Sequence, residues 1–197
     1  MKQAYISRLA GRPLAEYLAS QDYNINYVTE IGLVSGNTTH PEKFLCIPSE
    51  KKYRVDPRIA THPDIYMCQL GLWDEAGIFM GDREKLGPVY PSDIIYNAVC
   101  TRDYFIHYIQ KTDEDLMDSV MMWRKDLAFS GILKAGENKF AHVPDEEQMQ
   151  IVGVSQGYTR CTCLPVDNKS FITSDRGLAD ILSNQGASVL LLSLIHI

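Results

Sequence analysis

The chain has no run of lysine or arginine, no apolar stretch long enough to span a bilayer and none of the widespread catalytic signatures. Each absence excludes something. With 19 Lys and Arg against 25 Asp and Glu, the formal net charge is −6. Nucleic acid and anionic lipid therefore have no electrostatic handle, and neither is expected as a partner. No segment reaches the roughly 20 apolar residues of a membrane-spanning helix, and no lipidation signal is present. The opening MKQAYISRLAGRPLAEYL places polar residues and a proline where a secretory leader needs an unbroken apolar run, so the expected compartment is the cytoplasm. G-x-S-x-G, the P-loop, H-E-x-x-H and the dinucleotide glycine fingerprint are all missing, which removes support for serine hydrolases, nucleotide kinases, zincins and Rossmann dehydrogenases. No cofactor is implied.

Cysteine is scarce and odd in number: Cys46, Cys68, Cys100, Cys161 and Cys163. Without an export signal, reduced thiols are expected rather than a disulfide framework. Cys161 and Cys163 have no second Cys/His pair at zinc spacing, so no metal site is expected. The glycosylation-like triplets Asn37-Thr38-Thr39 and Asn168-Lys169-Ser170 carry no meaning in a cytosolic protein.

What is present is an ordinary globular composition, 45% hydrophobic and 22% charged over 197 residues, enough for one domain or one repeat array. KQAYIS reads as a strand, Pro13 as a helix start with Leu14, Tyr17 and Leu18 as its apolar stripe, and NINYVTE as the returning strand. The chain closes on a similar unit. SFITS is a strand, Ser174 or Asp175 an N-cap, Leu178, Ile181 and Leu182 a helix stripe, Gly186 the stop and SVLLLS a buried strand. A shift of 164 positions lays RPLAEYLASQ from Arg12 over RGLADILSNQ from Arg176, matching Arg, Leu, Ala, an acid, Leu and Gln. A shift of 93 positions lays CQLGLWDEAGIFMGDR over CTCLPVDNKSFITSDR, pairing Cys68 with Cys161, Asp74 with Asp167, Asp82 with Asp175 and Arg83 with Arg176. Between them, IIYNAVC and DYFIHYI read as two strands. Thr112-Asp113-Glu114-Asp115 caps a helix with Leu116, Val120, Trp123 and Leu127 on one face. KAGENKFAHVPDEEQ, Lys134 to Gln148, reads as a polar excursion. The expected class is α/β, built by repetition of a strand-turn-strand-helix-strand unit.

The runs THPDIYMCQLG, YPSDIIYNAVCTRDYFIHY and QGYTRCTCLPVDNKSFITSDRGLADIL, within roughly Ile47 to Leu192, resemble an uncharacterised bacterial family of the guanidino-group-modifying, or pentein, superfamily. The resemblance implies an α/β propeller of ββαβ units about a pseudo-fivefold axis, with a central polar channel. In better-known relatives a cysteine near the C-terminus attacks a guanidinium carbon, a histidine acts as acid/base and carboxylates grip the guanidinium. Residues 1–192 are then expected to be a single, partial repeat domain, incomplete at its C-terminus and exposing strand edges and apolar faces that a closed array buries. The terminal LSLIHI resembles translated sequencing-adapter read-through, so residues 193–197 are expected to be a non-native tail.

Candidate chemistry follows, each with its plainer reading. His62-Pro63-Asp64 can set a carboxylate to orient an imidazole for proton transfer; alternatively Pro63 starts a strand and the two polar side chains serve a turn. Cys161, near Tyr158 and Arg160, is the candidate nucleophile, since a thiolate can attack an amidine carbon and Arg160 can favour the thiolate. The preferred alternative makes Cys161 a small core residue matching Cys68. Asp175 can hold a cation but more simply caps a helix. Asn97 and His107 bracket a hairpin; His107 reads more readily as a satisfied core histidine, and Asn97 as a turn residue or a ligand contact. The functional expectation is hydrolysis of a guanidino or amidino small molecule, with His62, Asp64 and Cys161 catalytic and Asn97, Tyr158, Arg160 and Asp175 binding substrate. The alternatives are a non-catalytic module that holds the same kind of ligand, and a purely structural or interaction protein.

Overall fold

The computed structural model describes residues 2–29, 32–35, 54–73, 76–134 and 149–192, with backbone only at 32, at 35 and over 126–134. Several expectations lie outside the described residues: the Asn37 triplet, Cys46, Asp74, the side chain of Leu127, the excursion at 135–148 and the tail at 193–197. The chain is mixed α/β and parts into two compact units, residues 1–66 with 82–93, and residues 67–81 with 94–197.

In the first unit, β1 (Lys2–Ser7) and β2 (Tyr23–Thr29) pair in parallel from Lys2↔Tyr23 to Ser7↔Val28. Parallel neighbours need a crossover, and α1 (Arg12–Ser20) supplies it, with proline in its first turn. β3 (Gly32–Ser35) adds antiparallel to β2, in the order β1-β2-β3. The stripe expected on α1 is turned differently: Ala15 is buried and Leu18 packs beside Ile25 and Tyr27, while Leu14 and Tyr17 are exposed. A one-turn helix, α2 (Pro63–Tyr66), follows. Pro63 therefore opens a helical turn instead of the expected strand, as suits a residue with fixed φ and no amide hydrogen to donate.

The second unit holds β4 (Met67–Leu70), β5 (Gly77–Met80), β6 (Val99–Cys100), β7 (Tyr104–His107), α3 (Glu114–Lys134), β8 (Gln150–Gly153), α4 (Thr159–Thr162), β9 (Cys163–Pro165), β10 (Ser170–Thr173), α5 (Arg176–Asn184) and β11 (Ser188–Leu191). Its sheets run β5-β4-β6-β7-β8 and β11-β10-β9. The segment read as a strand over IIYNAVC is extended only at Val99–Cys100; Asn97 N–H bonds to Ile94 O at 2.9 Å and turns the chain before it. Likewise α3 is capped by Asp113, whose carboxylate accepts the amides of Asp115 and Leu116, because the Thr112 hydroxyl is engaged with His107.

The repeat is now visible as topology. β6-β7-α3-β8 and β9-β10-α5-β11 are both ββαβ units: an antiparallel pair, a helix, then a strand parallel to the second. They are tied turn to turn, with the Thr101 hydroxyl donating to Asn168 O at 2.9 Å and Arg102 N–H to Asn168 Oδ1 at 3.1 Å. One core joins Val99, Tyr104, Ile106 and Val152 of the first copy to Cys163, Phe171, Leu178 and Leu182 of the second. Tyr104 meets Phe171 edge-on, centroids 5.5 Å apart, and its hydroxyl donates to Gln185 O at 3.0 Å. Contrary to the expected buried strand, β11 forms a sheet edge with Leu190 exposed.

The 164-residue register also holds structurally. α1 and α5 are both nine residues long and stop at a glutamine, Gln21 or Gln185. The next residue is left-handed in each, Asp22 at φ 60° and Gly186 at φ 84°. A Cβ added to Gly186 meets nothing within 4 Å, so Gly186→Ala isolates the backbone cost. Urea unfolding should show a loss of about 1 kcal/mol, whereas Asp22→Gly should show no loss.

Candidate functional site

The site is built where two short turns meet. Tyr158 precedes α4, and the Thr159 hydroxyl donates back to Gln156 O at 2.7 Å. Asn97, fully buried, reaches across from the turn before β6: its Oδ1 accepts the Arg160 N–H at 2.8 Å, and its Nδ2 donates to Cys161 Sγ at 3.4 Å. The Arg160 bond fixes which way the amide points, so an N–H faces the sulfur. The asparagine amide is therefore a hydrogen-bond donor to the sulfur.

Asp175 caps α5 through the Leu178 amide at 2.9 Å and takes Gln156 Nε2 at 3.3 Å on its other oxygen. Gln156 Oε1 in turn accepts the Tyr158 amide at 3.1 Å. The Thr173 hydroxyl donates to Thr162 O at 2.7 Å and accepts the Asp175 amide at 3.1 Å. Gln156 and Thr173 thus staple the start of α5 to α4. Neither was singled out by sequence, because each acts through one amide or hydroxyl and belongs to no motif.

The cysteines separate sharply. Cys68, Cys100 and Cys163 are buried, while Cys161 is exposed. Burial pushes the thiols of Cys100 and Cys163 up to about 12, in Cys163 against the opposing charge of Arg160. This overturns the preferred reading of Cys161 as a core residue matching Cys68. The turn of α4 rotates Cys161 outward, and Cys163 is the cysteine that enters the core. Asp175 does cap a helix, and its carboxylate is still half-buried.

His107 is fully buried. Its Nε2–H donates to Ile94 O at 2.9 Å, which leaves Nδ1 to accept the Thr112 hydroxyl at 2.7 Å. Burial holds its pKa down to about 4. It is a satisfied structural histidine.

The residues singled out by sequence fall into two groups. Asn97, Tyr158, Arg160, Cys161 and Asp175 come together in the second unit. His62 and Asp64 stand in the first: His62 is exposed and its carbonyl accepts the Ile65 amide at 3.2 Å, and Asp64 lies in the first turn of α2. Among the described residues, no group of three or more His, Cys, Asp or Glu is placed to hold a metal, and no helix is long and apolar enough to cross a membrane.

Residues 124–197 match a family described as "Family of unknown function (DUF6873)". That stretch takes in Tyr158, Arg160, Cys161 and Asp175 and stops short of Asn97, His62 and Asp64. No curated protein and no solved structure matches the chain.

Proposed function

We propose that the chain is a pentein-type repeat protein whose Cys161 turn receives a cationic guanidino or amidino group. The observation that carries this reading is the exposed Cys161 thiol facing the amide of a buried, oriented asparagine. Asp175, stapled beside that turn, supplies a carboxylate paired with no Lys or Arg among the described residues. The two ββαβ copies fit the pentein plan. In the catalytic version, Cys161 Sγ bonds to the guanidinium carbon, the carbon–nitrogen bond to the departing amine breaks, and the amine leaves with the proton that the thiol gives up. Water then adds to the same carbon and releases the thiolate.

A second reading, binding without turnover, is favoured by His107. It is the only described histidine in this unit, and both its ring nitrogens are committed.

Chloroacetamidine and the neutral chloroacetamide alkylate thiols and differ in charge, so mass spectrometry of the alkylated protein tests the site. Cys161 should react about tenfold faster with the amidine than its intrinsic reactivity predicts. Asp175→Asn keeps the helix cap and should abolish that preference. Asn97→Asp keeps the Arg160 bond but turns an anionic oxygen toward sulfur, and should slow both reagents at neutral pH. Equal relative rates in wild type and Asp175→Asn would remove the cation site. If the preference holds, release of ammonia or amine from arginine-like compounds, lost in Cys161→Ala, separates enzyme from binder.

A further inference from the structure

The carbonyl of Ile94 ties the buried histidine to the thiol. A peptide oxygen has two lone pairs, and this one uses both: it accepts His107 Nε2–H at 2.9 Å and the Asn97 N–H at 2.9 Å. The first bond comes from β7, and the second makes the turn from which the Asn97 side chain projects. One residue on, Ile95 O accepts the Asp113 amide at 3.2 Å. The turn before β6 is therefore hung by two bonds on the stretch from the end of β7 to the start of α3. His107 is in turn held at its other nitrogen by the Thr112 hydroxyl.

The result is a continuous polar path from the Thr112 hydroxyl through the His107 ring and the Ile94 carbonyl to Asn97, and from its side chain to Arg160 N–H and Cys161 Sγ. His107 and Asn97 are both fully buried, and a buried polar group that loses its partner has no bulk water to turn to. The path matters because the Asn97 side chain must satisfy two partners of different kinds at once, an N–H at Oδ1 and a sulfur at Nδ2. That match depends on where its own backbone stands, and Ile94 O fixes the backbone.

We propose that His107 is a positioning residue for the Cys161 site: through Ile94 O it holds Asn97 where the asparagine amide meets Arg160 N–H and Cys161 Sγ together. The role rests on the two committed ring nitrogens and involves no proton transfer. It builds on the reading of the Cys161 turn as a reactive site and gives that site a histidine that acts through the asparagine.

Asn97→Asp is the sensor, because its anionic oxygen opposes reaction of the thiol only while residue 97 is held against the sulfur. Alkylation of Cys161 by the neutral chloroacetamide at pH 7, followed by mass spectrometry, should be about tenfold slower in Asn97→Asp than in wild type. In a His107→Leu background the same substitution should slow it about twofold or less. In His107→Gln, which can still donate to Ile94 O and accept from Thr112, the slowing should return to about tenfold. Gly186→Ala weakens the fold away from this path and should keep the full ratio, which separates positioning from a general loss of stability. If circular dichroism shows that His107→Leu has lost its fold, Thr112→Val takes its place, since it removes the hydroxyl that holds Nδ1 and keeps the side chain's shape. The proposal is overturned by a ratio that stays near tenfold in His107→Leu or its substitute, by a ratio that falls alike in His107→Leu and His107→Gln, or by an Asn97→Asp protein that reacts at the wild-type rate. The chloroacetamidine preference and its loss in Asp175→Asn are measured separately, so the cation site can fail while the positioning role stands, and the reverse.

Discussion

Lowering the pH from 7 to 4 should cost the protein about 3 kcal/mol through His107 alone. Its folded pKa, about 4, lies below the ordinary histidine value of 6.5 because burial disfavours the imidazolium, against the smaller opposing effect of its bond to Ile94 O. Between these two values the unfolded chain binds a proton that the folded chain refuses. The contribution is therefore fully present above pH 6.5, is lost as pH falls and is exhausted near pH 4. A gap of that width, at about 1.4 kcal/mol per unit, sets the magnitude. Other groups act in a different window. Asp56 is held at about 2, first by its side-chain bond from Arg58, so its effect is lost only below the ordinary carboxylate range. Denaturant unfolding at pH 7 and 4.5 checks the prediction against His107→Gln, which can still donate to Ile94 O and accept from Thr112. The variant should start lower at pH 7 and lose far less on acidification. Parallel losses in the two proteins would show that His107 is not the group titrating.

Replacing Gly71 with alanine should be among the most damaging single changes, at about 3 kcal/mol or more. Two costs combine. Gly71 has φ 77°, a left-handed conformation in which a side chain costs about 1–2 kcal/mol. An added Cβ would also overlap the Trp123 indole, and overpacking of that kind costs about 1–3 kcal/mol. The backbone has little room to yield, since Gly71 N–H bonds to Cys100 O at 3.2 Å and Gly71 O accepts Gln69 Nε2 at 2.9 Å. The two parts separate in a cycle. In a Trp123→Leu background the steric part should fall away, leaving about 1–2 kcal/mol for the backbone. A Gly71→Ala protein that unfolds at the wild-type denaturant midpoint would contradict both parts.

The strand-helix-strand units and the α1/α5 register were legible in the sequence because helix length, stop and apolar spacing are local properties. The strand over IIYNAVC was misread because alternation persists through a turn held by Asn97 N–H and Ile94 O. The α1 stripe showed its spacing but not its exposure, because burial depends on which sheet a helix meets, not on the helix itself. Cys161 and Cys163 illustrate the same limit. Two residues apart, they would share a face on one strand, yet the helical turn ends between them and sends one to solvent and the other into the core. Asn97 and the cysteine it faces lie 64 positions apart, and no periodicity reports a bond across that separation.

The narrowness of β6 also bears on how the five-stranded sheet comes apart. Two residues carry its pairing, with a single partner pair to β4, Leu70↔Cys100, and two to β7, Val99↔Ile106 and Cys100↔Phe105. The β4–β5 hairpin and the β7–β8 pair have four register pairs each. Opening should therefore begin at the join, splitting the sheet into two sub-blocks that each keep their own ladder. In amide hydrogen exchange this puts the Val99–Cys100 join among the earlier-opening parts of an otherwise buried sheet, while Phe105 and Ile106 persist until the whole unit unfolds.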